Sequence, residues 1–342
     1  MKTRITKFNH LNKYLIANAT GIPAIVNFLN RRKLLVLAYH GIYDGPPRPG
    51  TLPDTFVHVD DLKAQLFAIK RKYRVIDQVA LKNHIVSGAP LPPQAVLVTF
   101  DDGYENFLRL AWPVLKSMGI RPIVFVTTRN VENNTPFWFD IVWLFLNSFP
   151  LSESLKLVDF PEFGINKNNQ ALLKSMKSLA PKRRDQIVDR MESRLERKGN
   201  ALIKANYELI FPMTAKQLRF VADEGVTAGG HTHTHTILSQ LKLSEAESDI
   251  AVNKTKLESI TGRQCDFFAY PNGGPDDFNA SHKHILTKYG FISAFSLTLK
   301  RSLPSLDPMD IPRINVAPED TTQALIFHCT GLVSIVKQLL GL

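Results

Sequence analysis

The chain has 342 residues, 44% of them hydrophobic and 21% charged, which is long enough to bury a full core and excludes a disordered or fibrous chain. Lys and Arg outnumber Asp and Glu by 42 to 31, a formal net charge of +11, and such a charge suits an anionic membrane, an acidic glycan or a well-solvated surface. Nucleic acid is set aside because the bases are scattered and no zinc-finger spacing or RNP-like aromatic signature occurs; the two cysteines, Cys265 and Cys329, show no paired spacing, which argues against a disulfide framework and for a reducing compartment.

Residues 1–33 read as a basic amphipathic segment. Lys2, Arg4, Lys7 and Lys13 precede an apolar stretch, Tyr14 to Leu29, that Asn18, Gly21, Pro23 and Asn27 interrupt. The interruptions leave it too broken for a spanning helix or a signal-peptide core. Followed by Arg31-Arg32-Lys33, it is compatible with peripheral membrane association and equally with a solvated cap on the domain. The expected location is the cytoplasm or the cytoplasmic face of a membrane, with export left open.

From Leu34 the chain alternates. Leu34 to Tyr39 is an apolar run closed by His40-Gly41, the pattern of a buried strand with the histidine at its exit. Phe56 to Ile69 has helical spacing and leads into a short strand, Tyr73 to Ile76. Ala95 to Phe100 is a second buried strand, and it runs into Asp101-Asp102-Gly103. A helix over about Glu105 to Met118, stopped by Gly119, and a strand Pro122 to Thr127 complete a β-α-β unit of the kind that builds parallel sheets or barrels. Over about residues 130–213 the rhythm changes: Phe137 to Phe145 reads as a buried helix and Lys182 to Lys204 as a charged one, so this region is read as a helical insertion. Strands then resume at Val226 to Gly230, Phe267 to Tyr270, Phe291 to Phe295 and Asp310 to Val316. The helices between them are Thr214 to Ala222, Ser244 to Thr261 with Ser244 as cap, and Ser281 to Tyr289. The tail from Thr322 reads as one helix.

Two adjacent aspartates at a strand mouth repel each other and need a counter-charge, either a metal ion or an arginine. The run His231-Thr232-His233-Thr234-His235 offers imidazoles four residues apart. A hydrolytic metal site takes three protein ligands from histidine and carboxylate and leaves room for water; His231, His235 and one aspartate fill that set, and the other aspartate stays free to take a proton. Taken singly, Asp-Asp-Gly is a common turn, the histidine run can be a polar loop, and His40 can be a satisfied core histidine. All three, however, fall at strand exits, where the sites of parallel α/β folds assemble.

These residues resemble the polysaccharide deacetylases, also called NodB-homology domains or carbohydrate esterase family four. Thr99-Phe100-Asp101-Asp102-Gly103 matches the first motif of the family, His231 to His235 followed by Leu238 the second, and Phe268-Ala269-Tyr270-Pro271-Asn272-Gly273 looks like the third. The resemblance covers about residues 34–316 apart from the insertion. It implies an α/β fold, a distorted (β/α) barrel of the NodB-homology type, with one divalent ion per chain, usually zinc, on Asp102, His231 and His235. It also implies Asp101 as general base and the backbone N–H of Asn272, after Pro271, as oxyanion donor. Two features depart from the pattern: Ala269 stands where many members carry an arginine that orients the base, and the C-terminal Leu-x-His motif has no good copy, since His328 sits in a poor context. A branch acting on surface polysaccharides places that histidine in an N-terminal strand reading like Leu37-Ala38-Tyr39-His40. The resemblance therefore points to His40 as general acid and leaves Arg313, in Ile311-Pro312-Arg313-Ile314, as the substitute for the missing arginine.

The expected function is metal-dependent removal of an acetyl group from an N-acetylated sugar of a bacterial surface glycan or a lipid-linked precursor. The alternatives are a same-fold hydrolase of another carbon–nitrogen bond, such as a deformylase or imidase, and a catalytically silent glycan-binding module. Tyr104, Trp138 and Tyr270 are aromatic candidates for stacking on sugar rings, with core packing as the other explanation. The expected organisation is residues 1–33 as the N-terminal segment, 34–320 as the deacetylase-like domain and 321–342 as a C-terminal helix.

Overall fold

The structure is a computed structural model that describes residues 20–46, 55–150, 169–177, 179–199, 201–298, 301 and 307–340. The basic residues expected to lead the N-terminal segment, Lys2 to Lys13, lie outside them. The first described helix, α1, spans Ile22–Leu29.

Nine strands form one parallel sheet. Strand β1 (Leu35–Tyr39) pairs along its length with β5 (Ala95–Phe100). On its other side β5 takes β4 (Arg74–Ile76) at one end and β6 (Ile123–Val126) at the other. The sheet continues through β7 (Thr227–Gly230), β8 (Phe267–Ala269) and β9 (Ser293–Ser296). The segment from 311 to 315 closes it: Ile311–Pro312 (β10) pairs with β9, and Ile314–Asn315 (β11) pairs with β1. Arg313 is the hinge between the two, so the last strand joins both edges and the sheet becomes a distorted (β/α) barrel.

The strands are buried on both faces, which is why they appear as continuous apolar runs rather than alternating ones. Val36, Leu97, Ile123, Phe125, Phe267 and Phe295 form one buried cluster that fills the barrel. Their neighbours in sequence, including Leu37, Val98, Val124 and Phe268, join a second cluster under the surrounding helices. A third cluster lies within the helices between β6 and β7 and reaches back to Phe56 and Tyr104. These helices include α5 (Thr128–Asn133), α6 (Trp138–Ser148), α7 (Asn169–Lys177), α8 (Pro181–Lys198) and α9 (Ala201–Leu209); α10 (Ala215–Asp223) then leads into β7.

Several elements depart from their sequence patterns for local reasons. Phe56–His58 is not helical but a strand, β3, paired with β2 (Gly41–Tyr43); the helix after it, α2 (Val59–Lys72), begins at Val59 because the His58 ring accepts the Asp60 N–H, and α3 (Gln78–Ser87) and α4 (Trp112–Ser117) flank β5 along the chain. The expected helix after the aspartates opens as a π-helical turn, Phe107–Ala111, before Trp112–Ser117, where Pro113 has no N–H to give to the helical ladder. Helix α11 (Leu243–Thr261) starts at Leu243 rather than after Ser244, with the Glu245 carboxylate accepting the Lys242 N–H. The tail is two helices, Thr322–Cys329 and Leu332–Leu340. Gly331 separates them at φ 84°, and a Cβ there would meet Asn30 Nδ2 at 2.8 Å.

Gly230, the last residue of β7, lies where an added Cβ would sit 2.6 Å from Asn253 Oδ1 and 2.9 Å from the Phe268 ring. Gly230→Ala is therefore expected to lower stability by about 1–3 kcal/mol, measured by urea unfolding; an unchanged midpoint would mean that Asn253 yields freely.

Candidate active site

The strand ends at one mouth of the barrel bring together side chains from both halves of the chain. Along β5 the interior positions recur at every second residue, so Leu97 and Thr99 face the lumen and Asp101 continues that face at the exit. Asp102 then adopts φ 71°, a left-handed conformation costing about 1–2 kcal/mol for a non-glycine residue, and the turn sends its carboxylate a different way. Thr232, His235 and Asn272 also have positive φ, at 62°, 54° and 63°. Strain of this kind persists only where the surroundings hold it.

The two aspartates have separate partners. Asp101 is 3% exposed and receives a bidentate ion pair from Arg313, Nη1 to Oδ1 at 2.6 Å and Nη2 to Oδ2 at 2.7 Å. Arg313 is itself fixed: Nη1 also donates to Thr99 Oγ1, Nε donates to Ser296 O, and the guanidinium lies 5.2 Å from the Phe125 ring centre inside the barrel. Burial pushes the Asp101 carboxyl up, but the Arg313 charge beside it, with His231 and His40 nearby, holds it below the usual carboxylate range. His40 stands across the cleft with Nε2 3.9 Å from Asp101 Oδ2, and its buried Nδ1 has no hydrogen-bond partner.

Asp102 faces the imidazoles instead. Its Oδ1 is 3.1 Å from His235 Nε2 and 3.5 Å from His231 Nε2. One ligand atom from each of the three residues lies within 4.8 Å of the others. His231 Nδ1 donates to Ala269 O at 2.7 Å, which leaves Nε2 as the lone-pair donor aimed at the group. This is the donor chemistry of a hydrolytic zinc-type site, two neutral imidazoles and a carboxylate, and the residues fit a divalent ion. Burial lowers the His235 pKa, which favours the neutral ring that metal binding requires. The middle histidine of the run, His233, turns away and pairs its Nδ1 with Thr128 Oγ1.

The histidine loop is held by residues that the sequence motifs do not name. Asn253 Nδ2 donates to Thr232 O at 2.7 Å and to Val126 O at 3.0 Å, tying the loop to the end of β6. Asp249 accepts from the His233 and Thr234 N–H groups and from the Thr234 hydroxyl. A signal for Asn253 was present: it continues the buried stripe Ala246, Ile250, Leu257 of α11 as its one amide. Asp140 is a further addition. Buried in the apolar helix α6, it accepts from the Tyr104 hydroxyl at 2.6 Å, and burial together with the Asp102 charge raises its pKa well above the ordinary value.

The aromatic candidates divide. Tyr104 is fully buried between Phe56 and Phe137, where packing accounts for the ring; Tyr270 stacks on Phe278 with its hydroxyl on Met309 O and also borders the cleft. Trp138 lines the cleft, a cavity of about 210 Å³ that also takes in His40, Asp101, Asp102, His235 and Arg313. Pro271 carries the chain from Tyr270 to Asn272. The Asn272 side chain bridges Lys177 Nζ, at 2.8 Å, and Asp277 Oδ2, at 2.6 Å.

A parallel barrel with a histidine–carboxylate cluster at the mouth formed by its strand ends defines a class of hydrolase scaffold. A sequence model of the polysaccharide deacetylases matches residues 88–293, and the chain belongs to that family of hydrolytic enzymes. No curated protein matches it in sequence. Among solved structures it is similar to the Streptococcus pyogenes deacetylase PplD in complex with acetate, with TM-score 0.56 and 16% identity over 86% of this chain and 96% of that one. It is also similar to IcaB from Ammonifex degensii, with TM-score 0.55 and 19% identity over 87% and 97%. A de-N-acetylase from Aggregatibacter actinomycetemcomitans gives TM-score 0.57 and 14% identity over 86% and 99%. At these identities the likeness is one of fold.

Protein loaded with zinc and then dialysed is expected to hold about one ion per chain, and His235→Ala or Asp102→Ala to hold far less, as read by elemental analysis. Asn253→Ala, which frees the loop without removing a ligand, is expected to weaken zinc about 10–100-fold in a chelator competition.

Proposed function

We propose that this protein is a divalent-metal-dependent N-deacetylase that acts on an N-acetylated sugar of a bacterial surface glycan or its lipid-linked precursor. The observation that carries this reading is the division of the two aspartates, one in the ligand set with His231 and His235 and one paired with Arg313 in the same cleft. A divalent ion bound to Asp102, His231 and His235 supplies Lewis-acid polarisation of the acyl oxygen and acidifies water.

The remaining chemistry falls to the chain itself. Asp101 takes the proton of the attacking water as the new carbon–oxygen bond forms; Arg313 keeps the carboxylate ionised and oriented for that role. The negative charge that develops on the acyl oxygen is assigned to the backbone N–H of Asn272. His40, on the other side of Asp101, gives a proton to the departing nitrogen as the carbon–nitrogen bond breaks, and acetate and the free amino sugar are the products. The family membership and the resemblance in fold to named deacetylases, one of them solved with acetate, support acetyl over formyl or imide substrates. The intact ligand set with a separately held base disfavours a silent binding module.

A second part of the reading concerns location. Ile22, Ile25, Phe28 and Leu29 of α1 are each more than half exposed, next to Arg31, Arg32 and Lys33. No helix among the described residues is long and apolar enough to cross a membrane. An apolar face beside a basic cluster suits the surface of an anionic bilayer, where a lipid-linked sugar is presented. Ile25→Ser/Phe28→Ser is expected to reduce co-sedimentation with vesicles containing phosphatidylglycerol; equal sedimentation by the variant and the parent protein would remove this part.

Metal-loaded protein is expected to release acetate, identified by mass, from N-acetylglucosamine oligomers or lipid-linked sugars. Asp101→Asn is expected to lose about 10²–10⁴-fold in kcat while retaining its metal, and equal release by this variant would defeat the assignment. In Arg313→Met the burial of Asp101 is no longer opposed by its ion pair, so its pKa rises. The acid limb of kcat/KM then moves to higher pH, and stability falls by about 3–5 kcal/mol as a buried charge is left unpaired. An unmoved limb would show that Asp101 is not the base.

A further inference from the structure

One wall of the cleft is cationic, and the hydrolytic steps make no use of it. Lys177, the last residue of α7, and Arg184, in the first turn of α8, line the same cavity as Asp101 and Asp102. Arg184 is only 6% exposed, and its guanidinium lies 4.6 Å from the ring centre of Trp138. Its buried Nε has no hydrogen-bond partner among the described residues. The ion pair it makes is long, Nε to Asp185 Oδ1 at 3.8 Å, and that carboxylate is 43% exposed to solvent.

This is an unusual state for a buried guanidinium, which presents a planar fork of donors and ordinarily meets a carboxylate or phosphate face on. Its surroundings add to the deficit. The first turn of α8 contains no acidic residue, and the positive end of a helix disfavours a cation there. Burial depresses the Arg184 pKa and the nearby Arg129 charge does so further, against the opposing pull of Asp185. The aspartates of the cleft are already engaged, Asp101 by Arg313 and Asp102 by the imidazoles. Of the acids on the far side of Arg184, Asp249 holds the histidine loop, Glu192 accepts from Tyr207 and Glu245 accepts the Lys242 N–H; Asp189 also lines that side but makes no ion pair with Arg184 among the described residues. Lys177 reaches across to Asn272 Oδ1 at 2.8 Å, which sets a second cation beside the loop of the proposed oxyanion donor.

We propose that Arg184, with Lys177, forms an anion subsite that binds a carboxylate or phosphate carried by the acetylated sugar or by the residue next to it. The substrate is then an acidic glycan or a sugar phosphate rather than a neutral N-acetylated polymer. Trp138 supplies the flat surface on which the guanidinium, and a sugar ring beside it, can lie. The inference rests on the deacetylase reading for its place in the reaction, and it adds the substrate class.

The test compares acetate release by metal-loaded protein from N-acetylated oligosaccharides of equal length that are neutral, carry a uronate, or carry a phosphate. One anionic form is expected to exceed the neutral one by about tenfold or more in kcat/KM, chiefly through KM, with the advantage shrinking as salt is added; which form wins separates uronate from phosphate. Arg184→Gln is expected to bring the ratio close to one, Arg184→Lys to retain part of it, and Lys216→Gln, an exposed base on α10, to leave it unchanged. Equal use of all three substrates, or a preference that survives Arg184→Gln, would overturn the subsite. If no substrate releases acetate, the deacetylase reading fails, and calorimetric titration still decides the subsite. N-acetylglucosamine 1-phosphate or glucuronate must then bind at least about tenfold more tightly than N-acetylglucosamine, with the difference lost in Arg184→Gln; no such difference overturns it.

Discussion

The site depends on keeping two adjacent carboxylates apart. Side by side and buried, Asp101 and Asp102 would raise each other's pKa, and one would take up a proton. The fold prevents this by giving each its own counter-charge in a different direction. Strand periodicity points Asp101 into the barrel towards Arg313, and the left-handed turn at Asp102 swings the next carboxylate towards His231 and His235. The backbone cost of that turn is about 1–2 kcal/mol, small beside the several kcal/mol of burying an unpaired charge. The two residues therefore remain chemically distinct although they are neighbours in sequence.

Arg313 connects this electrostatic arrangement to the architecture. It sits at the break between β10 and β11, where the last strand leaves β9 and joins β1. The residue that neutralises Asp101 is thus also the hinge of barrel closure. Its Nε donates to Ser296 on β9, and Nη1 reaches both Thr99 on β5 and Asp101 just past its end, so the ion pair crosses the barrel mouth from one side to the other. A loss at either residue is felt in both the chemistry and the seam.

The helices between β6 and β7 have a core of their own and contribute to the cleft from outside the barrel. Trp138, Lys177 and Arg184 come from this region, whereas the proton-transfer groups and ligand set come from strand ends. Under the proposed reading, chemistry and selectivity reside on separate parts of the chain. Strand ends are rigid and suit ligand geometry, and the added helices bear on it as well, since Phe139 of α6 packs against the His235 ring at 5.0 Å between ring centres. Asp140 is a further point of contact, since its carboxyl links α6 to Tyr104, two residues beyond Asp102.

Much of this was legible along the chain. The apolar runs of β1, β5, β6 and β8 marked doubly buried strands, because a parallel sheet covered on both faces needs no polar alternation, and the aspartates and histidines at their exits marked the site. The strand Phe56–His58 was obscured because three apolar-leaning residues before a helix share its spacing, and the split tail turned on a single glycine contact with Asn30. Asn253 was marked only as the one amide in the buried stripe of α11, and Asp249 lay off that stripe with no signal of its own. The sequence by itself determined the kinds of chemistry available and their order along the strands, since periodicity and residue type act locally. Only the tertiary structure decided which partner each carboxylate received, that Tyr104 was enclosed by Phe56 and Phe137, and that Arg184 stands buried with only a long ion pair to Asp185. Those outcomes depend on distances between residues far apart in the chain, which no local pattern encodes.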